Sequence, residues 1–166
     1  MKNRLFWITC TALVFAIAVL SFHRPNWHNS NLPLLHNSHH PVSPNEEPWR
    51  PDQLLAPADL AKTINDPKAQ QPYIFCIGPG AVIKGSIDIG PGRDSANIRR
   101  LRQQVERLPK DARVVIYCGC CPFVHCPNIR PAFALLNEIR LTHPQLLNLE
   151  HNIKTDWIDK GYPITK

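Results

Sequence analysis

The sequence predicts an α/β fold with a mostly parallel central sheet and helices on both faces, and three observations carry that prediction. Tyr73-Ile74-Phe75-Cys76-Ile77 and Val114-Val115-Ile116-Tyr117 are short, continuous apolar runs, the composition of strands buried on both sides. Ile98, Leu101, Val105 and Leu108, then Ala132, Phe133, Leu135, Leu136 and Ile139, recur at intervals that put them on one helix face. Gly78-Pro79-Gly80 and Gly90-Pro91-Gly92 punctuate the alternation as turns. Strands that alternate with helices pair in parallel, because each crossover brings the chain back to the same end of the sheet.

The chain has 166 residues, and its beginning does not belong to that domain. Lys2 and Arg4 precede an 18-residue stretch, Leu5 to Phe22, whose only ionisable side chain is Cys10. A basic start and an apolar run read as a signal peptide or a membrane anchor over residues 1–22, an N-terminal hydrophobic helix with its charged end in the cytoplasm. Ala16-Ile17-Ala18 offers a small-x-small cleavage site, while the run is about long enough to cross a bilayer uncut. Either way the domain is expected to be exported, periplasmic or otherwise extracytoplasmic, with a possible membrane tether through residues 5–22. Residues 23–48 are rich in Pro, Asn, His and Ser and poor in aliphatics, so they are read as a disordered linker. His23, His28, His36, His39 and His40 lie there without a cysteine or carboxylate partner set and count as a polar spacer.

Residues 49–166 carry the fold. Trp49 is placed at a core edge, and Pro57 to Ile64 has helical spacing. Tyr73–Ile77 is a buried strand, and Val82 to Ile89 a strand broken by glycine. Ser95 to Leu108 is a helix and Arg113 to Tyr117 the strand that delivers Cys118. Asn128 is placed as an N-cap, with Pro131 in the first turn where its missing amide costs nothing. Leu146-Leu147-Asn148-Leu149 is read as a last strand, and Asp156-Trp157-Ile158 as part of a terminal helix ending at Gly161. The formal net charge is +6, concentrated at Arg99, Arg100, Arg102, Arg107, Lys110 and Arg113. That cluster lacks the interleaved aromatics of a single-strand binder and reads as a solvated face, so no nucleic-acid partner is expected.

The chemistry concentrates in Cys118-Gly119-Cys120-Cys121-Pro122-Phe123-Val124-His125-Cys126, which holds four of the chain's six cysteines. A cysteine at the end of a buried strand, followed by a turn and a helix start, has its sulfur beside amide groups that favour negative charge. Such a thiol is partly thiolate and reactive. In parallel sheets the working site lies at the carboxyl ends of the strands, where Cys118 falls. Cys76, inside a buried strand, is packing.

Taken together, Lys84-Gly85-Ser86-Ile87, the Val-Val-Ile-Tyr-Cys strand ending at Cys118 and the closing Asp156-Trp157-Ile158-Asp159-Lys160-Gly161-Tyr162-Pro163 resemble the rhodanese-like domain, over about Trp49 to Ile164. The resemblance implies a sulfurtransferase in which Cys118 takes sulfane sulfur from a donor such as thiosulfate and passes it as a persulfide to a thiol or cyanide acceptor, with no cofactor. It places the donor against the loop of Gly119, Cys120 and Cys121, with Arg130 in the position of the family's loop arginine. The sequence departs from the family's pattern in having eleven residues between Cys118 and Arg130, Cys76-Ile77-Gly78 in place of Asp-x-Arg, and Ala81-Val82 in place of Gly-His.

Three other uses of the cysteines stand beside sulfur transfer. Cys118 and Cys121 form a C-x-x-C that resembles thioredoxin-like redox motifs and fits thiol–disulfide exchange in an oxidising compartment. Cys118, Cys120, Cys121, His125 and Cys126 include soft ligands for zinc or copper(I), so a non-catalytic metal-binding or other binding module is an alternative; their confinement to nine residues is unlike a two-knuckle zinc site, and no metal is assigned. A structural staple would join Cys126 to Cys120 or Cys121, since adjacent cysteines are poor partners for each other.

Overall fold

The computed structural model describes residues 47–166, which belong to one compact unit, Pro41–Lys166. The expected hydrophobic helix at residues 1–22 and nearly all of the linker at 23–48 lie outside the described residues. Among the described residues no helix is long and apolar enough to cross a membrane.

Five strands form one all-parallel sheet: β1 (Leu54–Leu55), β2 (Tyr73–Cys76), β3 (Ser86–Asp88), β4 (Arg113–Tyr117) and β5 (His143–Leu147), in the order β1-β5-β4-β2-β3. The helices are α1 (Pro57–Asn65), α2 (Ser95–Val105) and α3 (Ile129–Ile139), with 3-10 turns at Pro51–Gln53 and Phe123–His125 and a single π-type turn at Lys154–Ile158. The α/β class, the parallel sheet and the covering helices therefore agree with the sequence reading.

Period-two alternation along β4 builds a core on each face. Val114 and Ile116 point into the cluster that holds Leu101 and Val105 of α2 with Ala132, Phe133 and Leu136 of α3. Val115 and Tyr117 point the other way, into the cluster of Leu60 and Ala61 of α1 with Trp157. Cys118 continues the first series, so its side chain lies on the α2 and α3 side. All five residues from Val114 to Cys118 are essentially excluded from solvent.

Several boundaries differ from expectation, each for a local reason. The strand expected at Val82 to Ile89 shrinks to Ser86–Asp88, because Gly85 turns the chain at φ +79° and Ile83 instead makes an antiparallel bridge with Ile164. The last strand begins earlier, at His143, and ends at Leu147. The second helix stops at Val105, with Leu108 N–H turning back to the Val105 carbonyl. The terminal helix is only one wide turn, in which buried Trp157 donates from Nε1 to the Pro163 carbonyl at 2.9 Å while Tyr162 packs edge-on to its ring, with centroids 5.2 Å apart. Gly161, at φ +70°, closes that turn.

The sheet order fixes where a site can form. From β2 the chain moves outward to β3, and from β4 it moves the opposite way to β5. The carboxyl ends of β2 and β4 therefore flank a topological switch point, where diverging connections leave a crevice.

Candidate functional site

Cys118 sits at that switch point, buried beneath the loop that follows it. Cys76 at the end of β2 is in register with Tyr117 at the end of β4, and Ile77 N–H donates to the Tyr117 carbonyl at 2.9 Å. The next residue on each side, Gly78 and Cys118, is brought face to face. A Cβ on Gly78 would stand 2.6 Å from the Cys118 sulfur, so only glycine leaves room for that sulfur where it is. Sequence reasoning took Gly78 as the start of a turn and missed this contact; a close approach between residues forty positions apart leaves no mark in a single sequence.

The loop after Cys118 folds back over the sulfur. Gly119 accepts from Ile153 N–H at 3.0 Å, Phe123 N–H donates to the Leu149 carbonyl at 3.1 Å, and the Phe123 ring packs 5.9 Å from Trp49. A side chain on Gly119 would collide with Ile153. The five described cysteines are all free thiols, so the expected staple from Cys126 to Cys120 or Cys121 is not formed; the backbone bonds to Leu149 and Ile153 and the Phe123 anchor hold the loop instead.

The thiols converge. Cys118 Sγ is 3.2 Å from Cys120 Sγ, and the sulfurs of Cys118, Cys120 and Cys126 all lie within 4.8 Å of one another. Cys121 is near Cys120, at 3.3 Å between sulfurs, but it stands outside this triad. Cys118 and Cys126 are each 1% exposed, whereas Cys120 faces solvent.

Asn128 occupies the N-cap position of α3, but its side chain makes no capping bond. Its Nδ2 donates to the Cys118 sulfur at 3.4 Å, and its Oδ1 accepts from Arg93 N–H at 3.2 Å. Gly92 makes that placement possible, since a Cβ there would run into the Asn128 backbone. The capping expectation is thus corrected: the Oδ1 that would cap the helix is taken by Arg93 N–H while Nδ2 turns to the sulfur, and the helix start lies next to Cys118 all the same.

These contacts set the proton. Cys118 is held down to about 5, chiefly by the thiol of Cys126 donating to it, then by the Cys120 backbone amide, Asn128 and the Cys120 thiol, against the opposing effect of burial. The same shared proton pushes Cys126 up. Partial loss of water around its sulfur, with donation to Cys118 and Cys121, pushes Cys120 up to about 12. The result is one thiolate wrapped by donors.

Of the residues expected to receive a donor, Gly119, Cys120 and Cys121 form the turn over Cys118, and the Cys120 amide is aimed at the sulfur. The amides of Phe123, His125 and Cys126 are engaged with the carbonyls of Leu149, Pro122 and Phe123. Arg130 is at the head of α3 as expected, yet its guanidinium bonds Glu47 at 2.7 Å and lies 5.5 Å over the Trp49 ring, and among the described residues its hydrogen bond goes to Glu47 rather than to a thiol.

Fold and site together define an α/β protein with a buried, hydrogen-bonded cysteine at the switch point of a parallel sheet. No family model, curated protein or solved structure matches the chain.

Proposed function

We propose that this chain is a rhodanese-like sulfurtransferase that works outside the cytoplasm, exported or anchored by residues 5–22. The observation that carries this reading is the position of Cys118: a thiol at the carboxyl end of the central strand, at the switch point, with hydrogen-bond donors converging on its sulfur. The motifs around Lys84-Gly85-Ser86-Ile87, Tyr117-Cys118 and Trp157 through Pro163 add to it.

In the first half-cycle the Cys118 thiolate attacks the outer sulfur of thiosulfate. A Cys118 S–S bond forms, the donor's S–S bond breaks, and sulfite leaves with the electron pair. In the second, cyanide or a thiolate attacks the outer sulfur of the persulfide and Cys118 departs as thiolate. No electron is gained or lost overall. The donors around Cys118 stabilise the thiolate at the start and end of the cycle. Because Cys118 is covered, the exposed Cys120 turn is the part that the donor displaces on entry.

The intact mass of the reduced chain after thiosulfate treatment tests this directly: one added sulfur atom is expected, and none in Cys118→Ser. A chain that gains no sulfur on Cys118 from any sulfane donor is not a sulfurtransferase.

A second reading, thiol–disulfide exchange with a partner's disulfide, draws on the 3.2 Å between Cys118 and Cys120 sulfurs. The pair would be Cys118 and Cys120 in place of the C-x-x-C pair, Cys118 and Cys121. Peptide mapping after exposure to a disulfide oxidant separates the two pairings.

A further inference from the structure

The loop gathers more sulfur than a nucleophile requires. Cys118 ends β4, Cys120 lies in the turn above it, and Cys126 returns after the 3-10 turn, yet their three sulfurs fall within 4.8 Å of one another. The set contains no carboxylate and no imidazole. We propose that Cys118, Cys120 and Cys126 form a three-thiolate site for a soft monovalent cation, copper(I).

The geometry suits that ion. Three thiolates bonded at ~2.3 Å around a trigonal centre stand ~4 Å apart, inside the spread already present. The Cys118–Cys120 contact, at 3.2 Å, has to open to that spacing, and Cys120 is the exposed member of the pair. Thiolates suit copper(I) and zinc alike, and ligand number separates the two: a structural zinc site wants a fourth ligand, which this triad does not supply. Cys121, the nearest further thiol, is outside the triad. Two ligands are buried and one is exposed, which gives the ion an entry side and a dry far side.

An outer layer is also in place. Asn128 Nδ2 orients the Cys118 sulfur and is itself fixed by Arg93 N–H. Cys126 is pinned through its own amide to the Phe123 carbonyl and through its carbonyl to Ile129 N–H. Such partners hold the Cys118 sulfur in place directly and the backbone that carries Cys126. On binding, each coordinating thiol that still carries a proton releases it to solvent, three Cu–S bonds form, and copper stays in its +1 state.

This site is independent of sulfur transfer, although both use Cys118, so an occupied site and a persulfide exclude each other. The test uses the reduced full chain under anaerobic conditions, titrated with the acetonitrile complex of copper(I) against a chromophoric copper(I) chelator. One ion per chain is expected to be withheld from the chelator. Cys120→Ser, an exposed position that leaves the core intact, should weaken binding by at least ~10-fold, the lower end of what losing an outer-shell partner costs. Cys126→Ser should do the same, with circular dichroism confirming that the buried variant is folded. His125→Ala, one residue from Cys126 and exposed, should bind as the parent does. If Cys120→Ser holds copper as tightly as the parent, the triad is not the site; the same conclusion follows if zinc displaces copper at equal concentration. Persulfide formation is read separately on the metal-free chain by mass. A chain that binds copper but takes no sulfur removes the sulfurtransferase reading alone, and one that takes sulfur but no copper removes the metal site alone.

Discussion

Cys76 and Cys118 end neighbouring parallel strands one residue apart in register, and both are buried, yet their chemistry diverges. The Cys76 thiol donates to the Gly80 carbonyl at 3.2 Å, and burial, the largest influence on it, pushes its proton affinity up. Cys118 faces a larger set of donors, chiefly the Cys126 thiol, then the Cys120 amide and Asn128, and is held down to about 5. Where burial outweighs the donors the thiol is inert, and where the donors outweigh burial the thiolate is favoured. The difference lies in the balance at each strand end: at Cys76 burial outweighs the Gly78 amide and the Tyr117 hydroxyl, whereas at Cys118 the loop after β4 returns two thiols, an amide N–H and Asn128, which together outweigh burial.

The largest break in that comparison comes from removing each sulfur in turn. Cys118→Ser should abolish persulfide formation from thiosulfate, while Cys76→Ala should retain it and cost only about 1 kcal/mol of unfolding free energy in urea, the ordinary effect of a small core truncation. Intact mass and equilibrium unfolding measure the two outcomes. Loss of persulfide in a folded Cys76→Ala chain would mean that the two cysteines act as one site.

Gly78 joins the two strand ends, and Gly78→Ala should have the next largest effect. A Cβ 2.6 Å from the Cys118 sulfur cannot coexist with it, so the sulfur or the loop must shift. Overpacking of this kind costs ~1–3 kcal/mol of stability. Displacing a reacting atom by ~1 Å costs ~100-fold in rate. Single-turnover sulfur transfer, followed alongside urea unfolding, separates the two contributions.

The third expectation is a reversal of the thiolate's stability. The pH profile of Cys118 alkylation by iodoacetamide should have its midpoint near the about 5 set by the folded site. Cys126→Ala removes the donor with the largest effect, leaving burial less opposed, so the midpoint should rise toward the range of Cys76. The sign follows from which form the donor binds: it stabilises the thiolate, and its loss favours the thiol. An unchanged midpoint would show that the neighbouring thiol does not supply the proton that holds Cys118 down.

Which parts of this arrangement the sequence revealed follows from how local each signal is. β2 and β4 were legible because a strand buried on both faces must be apolar at every position, and Cys118 was legible as the residue after such a strand. β1 was not, since two leucines, Leu54 and Leu55, are too short a run to show any period. β5 was placed late because His143-Pro144-Gln145 reads as a turn; Pro144 is tolerated there because β5 is paired with β4 at that point while β1 joins only at Leu146 and Leu147. The donors around Cys118 were the least legible. Cys126 looked like half of a staple and Asn128 like a cap, and only the path of the loop, pinned at Leu149 and Ile153, turns both toward the sulfur.

Asn128→Ala is expected to give the smallest of these effects, and it sharpens the comparison most finely. The amide donates to Cys118 at 3.4 Å, a long bond to a large, polarisable acceptor, and it acts on the thiolate less than the Cys126 thiol and the Cys120 amide do. Its loss should therefore move the alkylation midpoint upward by less than Cys126→Ala does. Stability should fall as well, by about 1–3 kcal/mol, because the 6% exposed side chain also accepts from Arg93 N–H, which its loss leaves without that partner. The two readouts are separable: the pH midpoint follows the Nδ2 donor, and the urea midpoint follows the Oδ1 acceptor together with packing. A midpoint shift as large as that of Cys126→Ala would put the amide first among the donors and reverse their order. It would make the start of α3, and not the neighbouring thiol, the main reason that Cys118 differs from Cys76.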